Sequence, residues 1–335
     1  DEGHWLHPDE RQIYFIVLKL DWPSSLAEAL SPSSPLNPGF FAYGSLPIYL
    51  LKAVASLVKL VWPALRLQED LHLVARPLAA LFDLGTIYLT YRLARQFLSP
   101  LRSRGMSRAK PGEGPEGGAL LAAAFVSLAV IHVQLARFYT VDPLLTFFVM
   151  LTLNLAAIVA RGGGRRHQIA LGAALGLALA TKVSAAPLVF VLIVACYTRE
   201  AKAQTRSPTA HSLAAVRCMV LPLVVAGAVF FLAQPYALID WQIFLEHTVR
   251  ESQIARGALD VPYTIQYAGT LPFLYPIWQT ALWGMALPLG LVAWGGLAAG
   301  LIRWLRHGAW TDALLLAWAG PYFVITGLLY TKYLR

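Results

Sequence analysis

The chain is short of charge. Asp, Glu, Lys and Arg make up 13% of its 335 residues, about half of the roughly 25% in a soluble globular chain. By contrast, 57% are hydrophobic and the mean hydropathy is +0.57. A soluble enzyme and a disordered tail are excluded on this balance alone. Cysteine is almost missing: Cys196 and Cys218 stand alone with no CxxC pair, which leaves neither a disulfide framework nor a cysteine-based zinc site. No Gly-rich phosphate loop, Walker pattern, zincin pattern or internal repeat occurs, so the usual soluble motifs are absent as well. The net charge of +9 raises nucleic-acid binding. Most of the 27 Lys and Arg lie in short segments between apolar runs, however, where membrane topology explains them, and no nucleic-acid partner is expected. The chain opens at Asp1 without a Met or a signal-like run and stops at Arg335 directly after an apolar stretch. Both ends read as cut from something longer.

What the sequence does have is apolar runs near the ~20 residues that a spanning helix needs. They fall at 77–98, 119–136, 143–160, 169–181, 184–197, 216–238, 281–302 and 313–330. The fold expected is an all-α polytopic membrane bundle of about eight transmembrane helices, with further helices lying at the outer interface. The segments Arg102–Lys110, Arg161–Arg166, Arg199–Arg217 and Arg303–Arg306 are basic and mark the cytoplasmic side. A single membrane-embedded domain over 1–335 follows: an outer loop at 1–76, six spans in 77–238, an outer loop at 239–280 and two spans in 281–335.

The run 169–197 carries one charge, Lys182. As one tilted helix it would put the basic loops at its two ends on opposite faces, so it reads as a hairpin turning at Lys182. Each arm then measures about 20 Å, short of the roughly 30 Å hydrocarbon core. Lys182 therefore sits below the outer surface, where an ammonium needs protein or water around it. The segment 99–118 is a loop with no function expected, and 40–65 reads as interfacial helix because Lys52, Lys59, Pro47 and Pro63 interrupt it. The pairs Gly172/Gly176 and Gly296/Gly300 fit close packing of helices in lipid.

Few residues can carry chemistry. HWLHPDERQIY places Asp9 and Glu10 together after Pro8. A carboxylate at the membrane surface can act as general base toward a hydroxyl acceptor; equally, acidic residues in a first turn mark a helix start. His4 and His7 have metal-ligand spacing near Asp9 and also read as plain loop residues. In ARFYTVDPLL, Arg137 and Asp142 end one span and open the next, where Asp142 also fits an ordinary N-cap. The long loop 239–280 carries Asp240, Glu246, His247, Arg250, Glu251, Arg256 and Asp260 among aromatics that suit an interfacial belt or a lid. Lys332 and Arg335 add cations on the same outer side.

In order along the chain, HPDERQIY, NPGFFAYGSLPIYLL, ARPLAALFDLGTIYLTYRLARQF, ARFYTVDPLLTFF, GLALATKVSAAPL and TKYLR resemble the motifs of the polyprenyl-phosphate-sugar-dependent glycosyltransferases of the C-type membrane fold. Protein O-mannosyltransferases and the aminoarabinose transferases of lipid A are relatives in that group. The sequence departs from the latter in having Val183–Ser184 rather than Gly-Pro after the lysine. The resemblance implies a glycosyltransferase that moves a hexosyl or pentosyl group from a polyprenyl-phosphate carrier to a hydroxyl on an acceptor protein, lipid or glycan. It implies a multi-pass protein of the plasma (inner) membrane with its site on the outer face, and a chain lacking the family's first span and everything after the ninth. It assigns Asp9 as base or acceptor-positioning carboxylate, Glu10 and Asp142 as support, and Lys182, Arg137, Lys332 and Arg335 as holders of the lipid phosphate. A divalent cation on the acidic residues stays open, without a full ligand set. The competing readings are a secondary transporter, in which Lys182 and Asp142 couple ions to substrate, and a non-catalytic scaffold.

Overall fold

The computed structural model describes residues 7–102, 115–202 and 207–332, which are helical with no strand. In chain order the helices are α1 (Pro8–Lys19), α2 (Leu26–Ala29), α3 (Leu46–Val61), α4 (Leu67–Arg102), α5 (Pro115–Leu128), α6 (Val130–Leu135), α7 (Val141–Ala160) and α8 (Arg165–Thr181). They continue with α9 (Leu188–Ala201), α10 (Pro208–Ala233), α11 (Tyr236–Ile239), α12 (Trp241–Arg256), α13 (Leu274–Gln279), α14 (Leu287–His307) and α15 (Trp310–Leu328). Among the described residues six helices are long and apolar enough to cross a membrane: Leu67–Leu98, Val141–Ala160, Val183–Ala201, Thr209–Ala233, Leu287–His307 and Trp310–Leu328. Two of the eight expected runs fall short of that. The run 119–136 is broken by extended backbone at Ala129 into α5 and α6. The run 169–181 becomes α8, whose 17 residues reach about 25 Å. The expected loop 99–118 is shorter than its composition suggested, since α4 extends to Arg102 and α5 starts at Pro115; residues 103–114 lie outside the described residues.

The hairpin at Lys182 is present. Lys182 caps the C-terminus of α8 in extended backbone, a short 3-10 turn at Val183–Ala185 follows, and α9 runs back. The return is fixed by two bonds at the far end, where Arg199 donates to the Gly163 carbonyl at 2.8 Å and Lys202 to that of Ala160 at 3.1 Å. Both basic loops therefore lie at one end of the bundle. Single cysteines at Gly162 and Ala201, with Cys196 and Cys218 replaced, should respond alike to an impermeant thiol reagent in sealed vesicles. Labelling of one and not the other contradicts the hairpin.

The bundle is organised around α7, two thirds buried, which packs against α4, α8 and α9. Polar side chains stitch the apolar surfaces: Gln96 donates to Asn154 at 3.0 Å, and Asn154 donates to the Leu89 carbonyl at 3.0 Å. Such bonds stabilise helix pairs in lipid, where no water competes. Helix α8 approaches α10 so closely that a Cβ on Gly172 or Gly176 would overlap the backbone of Pro222 or Ala226. The other glycine pair is different. Gly296 faces open space and Gly300 meets only the side chains of Asp312 and Arg303, so equal spacing does not give equal packing.

Above one end of α4 and α7 sits a cap made by α1 and α3. Helix α1 starts where the sequence permits: Pro8 occupies the first turn, His7 Nδ1 accepts from the Asp9 N–H at 3.3 Å, and acidic residues meet the positive end of the helix dipole. It buries Ile13, Tyr14, Ile16 and Val17 against Ile48 and Leu51 of α3 and Leu71, Val74 and Ala75 of α4. Lys52 of α3 is buried too, donating to the Leu20 carbonyl beyond α1.

Candidate active site

Asp9 and Glu10 do lie in a first turn, as a helix start requires, yet they are 7% and 0% exposed. A cap on a surface helix needs no such burial. Glu10 Oε1 accepts from Tyr14 Oη at 2.9 Å, Arg76 Nε at 3.1 Å and the Tyr139 N–H at 3.0 Å, and its Oε2 accepts from Arg76 Nη2 at 2.9 Å. Burial alone would raise the Glu10 pKa, but the Arg76 guanidinium, the Tyr139 N–H and the Tyr14 hydroxyl together hold it below the usual carboxylate range. Its lone pairs are committed, so it braces α1 against α4 and the turn before α7. Asp9 points elsewhere: its Oδ1 accepts from Tyr43 Oη at 2.8 Å.

Tyr43 belongs to a short spine that joins the site's parts. Next to it, the Gly44 N–H donates to the Thr181 carbonyl at 3.0 Å, beside Lys182. Any Cβ at Gly44 would overlap the Ala180 backbone, so only glycine fits. The Ser45 N–H then donates to Gln234 Oε1 at 2.9 Å at the end of α10, and the Phe41 N–H to His247 Nδ1 at 3.1 Å on α12. The proline-aromatic stretch thus fastens Asp9, the Lys182 turn and helix α12 together.

Lys182 Nζ lies 3.4 Å from Asp142 Oδ1. Asp142 is not the N-cap expected from its place before Pro143; Thr140 holds that position and Asp142 sits inside the first turn of α7. Its side chain lines a cavity of about 230 Å³, with Pro143, Leu145, Thr146 and Val149 of α7, Trp318 and Tyr322 of α15, and a pair that sequence reasoning passed over. That pair is Asp83 and His132, 2.9 Å apart, also on the cavity wall. Asp83 stands seven residues beyond Arg76, about 10 Å deeper along α4. A lone Asp in the run PLAALFDLGTIYL was itself a signal, because ionisable residues inside a span are costly unless they serve a purpose.

The remaining candidates differ in the contacts they make. Arg137 is exposed on the turn before α7, and its side chain makes no hydrogen bond or ion pair among the described residues. Lys332 is buried and donates to Thr270 Oγ1 at 3.0 Å and the Tyr330 carbonyl at 3.3 Å; burial lowers its pKa. It does not touch Asp142 or Lys182, and the Thr331 N–H beside it bonds the Ala255 carbonyl at the end of α12. His4 and Arg335 lie outside the described residues. His7 caps α1, and among the described residues no three His, Cys, Asp or Glu side chains gather as a metal site. In the segment 239–280, Asp240 accepts from Asn37 Nδ2 at 2.9 Å and His247 Nδ1 accepts from the Phe41 N–H, so part of that segment is fastened to the spine.

Residues 115–227, from the start of α5 into α10, match the family model of the dolichyl-phosphate-mannose-protein mannosyltransferases. The match covers about a third of the chain and bears out the resemblance carried by the motifs. It takes in Arg137, Asp142 and Lys182, and leaves Asp9, Glu10 and Lys332 outside. No curated protein matches the chain.

Proposed function

We propose, from a helical membrane chain whose 115–227 segment matches that family, a glycosyltransferase drawing on a polyprenyl-phosphate sugar at the end where Asp9, Asp142 and Lys182 gather. The observation that carries this reading is the Tyr43–Gly44 spine. It holds a buried carboxylate, Asp9, and the hairpin turn that presents Lys182 on one short strip of chain. In the reaction, the acceptor hydroxyl oxygen forms a bond to the sugar's anomeric carbon while the bond from that carbon to the phosphate oxygen breaks. The proton of the hydroxyl passes to Asp9, and polyprenyl phosphate leaves with the electron pair, gaining one negative charge. A fixed cation in a dry site stabilises that gain, which is the role given to Lys182. Asp142 keeps the ammonium in place, and Glu10 keeps α1 in place. Arg137, Lys332 and Arg335 remain candidates for contacts with the phosphate or the acceptor. The outer face is the natural side, since the basic loops cluster at the opposite end of α7.

A cation that touches phosphate acts in the ground state and in the transition state. Lys182→Ala is therefore expected to weaken binding of a polyprenyl-phosphate sugar and to lower turnover together, while Lys182→Arg retains part of both. Unchanged donor affinity in a folded Lys182→Ala protein removes the residue from the phosphate site. One observation favours a second reading, an ion-coupled transporter: Asp83, inside the α4 span and paired with His132 of α6, lies on a cavity wall, where transporters keep such groups.

A further inference from the structure

At the other end of the bundle, about 27 Å along α7 from Asp142, two cations share one aromatic ring. The Arg161 guanidinium lies 5.4 Å and the Lys202 ammonium 4.6 Å from the centroid of Trp310, which itself packs edge-on against Phe97 at 5.8 Å. Arg161 ends α7, Lys202 ends α9 and Trp310 begins α15, so three span ends converge there. Cations at helix C-termini are ordinary, since they complement the dipole and reach toward water. Two features go beyond that.

The first is the missing counter-charge. Among the described residues neither Arg161 nor Lys202 has a carboxylate within 4.0 Å. Among the described residues the acids on the same helix ends are engaged: Glu200 lies 3.6 Å from Arg199, and Asp312 lies 2.7 Å from Arg303. Two positive charges held by one ring repel each other, although both side chains reach solvent, which screens part of that repulsion. Burial lowers the pKa of Arg161, and burial together with the nearby Arg161 lowers that of Lys202. The second feature is unused donors. Arg161 spends two of its five N–H groups on the carbonyl and side-chain oxygens of Gln96, and Lys202 spends one of three on the Ala160 carbonyl. The other donors have no protein acceptor among the described residues.

We infer that Arg161, Lys202 and Trp310 form a binding site for the phosphate of an anionic phospholipid headgroup, at the end of the bundle opposite Asp9. A phosphate between the two cations relieves their repulsion and accepts the spare donors. The indole suits the headgroup level of a bilayer, and Arg165 and Arg166 at the start of α8 follow Arg161 closely in sequence and add positive charge to the same loop. A lipid is favoured over a free anion because the three residues stand at the ends of helices long and apolar enough to span a membrane.

The test uses the purified full-length chain in neutral detergent, titrated separately with phosphatidylglycerol, phosphatidylcholine and inorganic phosphate, reading bound lipid by native mass spectrometry and Tm. Phosphatidylglycerol is expected to bind and raise Tm with concentration, while the other two do neither. A membrane-surface cation is worth about fivefold in affinity, so Arg161→Gln/Lys202→Gln should weaken phosphatidylglycerol about 30-fold. Arg161→Lys/Lys202→Arg, which keeps both charges, should retain most of the binding and guards against misfolding of the first variant. Equal loss in Arg165→Gln/Arg306→Gln means diffuse charge rather than a built site and overturns the inference, as does unchanged binding in Arg161→Gln/Lys202→Gln. Inorganic phosphate binding as tightly as phosphatidylglycerol overturns the lipid assignment.

Discussion

Asp9→Asn is expected to lower sugar transfer by about 10² to 10⁴, the usual contribution of a general base, with donor binding little changed. The substitution keeps the side chain's shape and its ability to accept from Tyr43 Oη, and removes only the capacity to take a proton. His7 and not Asp9 caps α1, so the helix itself loses only the charge's interaction with the dipole, roughly 0.3–1 kcal/mol. A merely structural Asp9 therefore makes the variant nearly silent, and near wild-type turnover would end the catalytic assignment. Comparison with Tyr43→Phe sharpens the reading. If Tyr43 orients the carboxylate, its loss lowers turnover without lowering donor affinity.

Glu10→Ala should act on the fold instead. It leaves the Arg76 guanidinium, the Tyr139 N–H and the Tyr14 hydroxyl without their shared acceptor, inside a region where Tyr14 and Tyr139 are fully buried. Removing one partner of a buried ion pair costs roughly 3–5 kcal/mol, and the lower end applies because the Arg76 side chain is 23% exposed. The loss should be read as a fall in Tm and in the yield of folded protein. Its pH dependence has a defined sign. The Glu10 carboxyl is held below its unfolded-state value of about 4.3, so its stabilisation is full above that value and fades as pH falls through the lowered one. The gap in Tm between wild type and Glu10→Ala should therefore narrow toward low pH. A gap that widens on acidification contradicts the depressed pKa.

How much of this was legible in the sequence depends on how local each signal is. The start of α1 is written in His7, Pro8, Asp9 and Glu10, all within one turn. The hairpin at Lys182 follows from two basic loops and a single charge in a long apolar run, and the structure has it. The partners of Glu10 were not legible. Arg76 comes from 66 residues away and Tyr139 from 129, and no local pattern announces a contact set by packing α1 across α4 and α7. Asp83 carried a readable signal as a charge within a span, but its partner His132 sits in an unremarkable apolar stretch 49 residues on. The grouping of Lys182, Arg137, Lys332 and Arg335 as phosphate holders rested on the resemblance and on their shared side in the sequence reading. Sidedness fixes depth and not position around the bundle, which is why Lys182 meets Asp142 while Lys332 bonds Thr270.

The central claim is that the chain transfers a sugar from a lipid phosphate. The most direct measurement is transfer by the full-length protein in proteoliposomes, supplied with a panel of polyprenyl-phosphate sugars and hydroxyl-bearing acceptors. Glycosylated acceptor and free polyprenyl phosphate should be followed together. The expected result is equimolar appearance of both products with at least one donor, abolished or reduced at least about 10²-fold in Asp9→Asn. No turnover of any donor, alongside solute uptake that follows an ion gradient and is lost in Asp83→Asn, would contradict the transferase and leave the transporter.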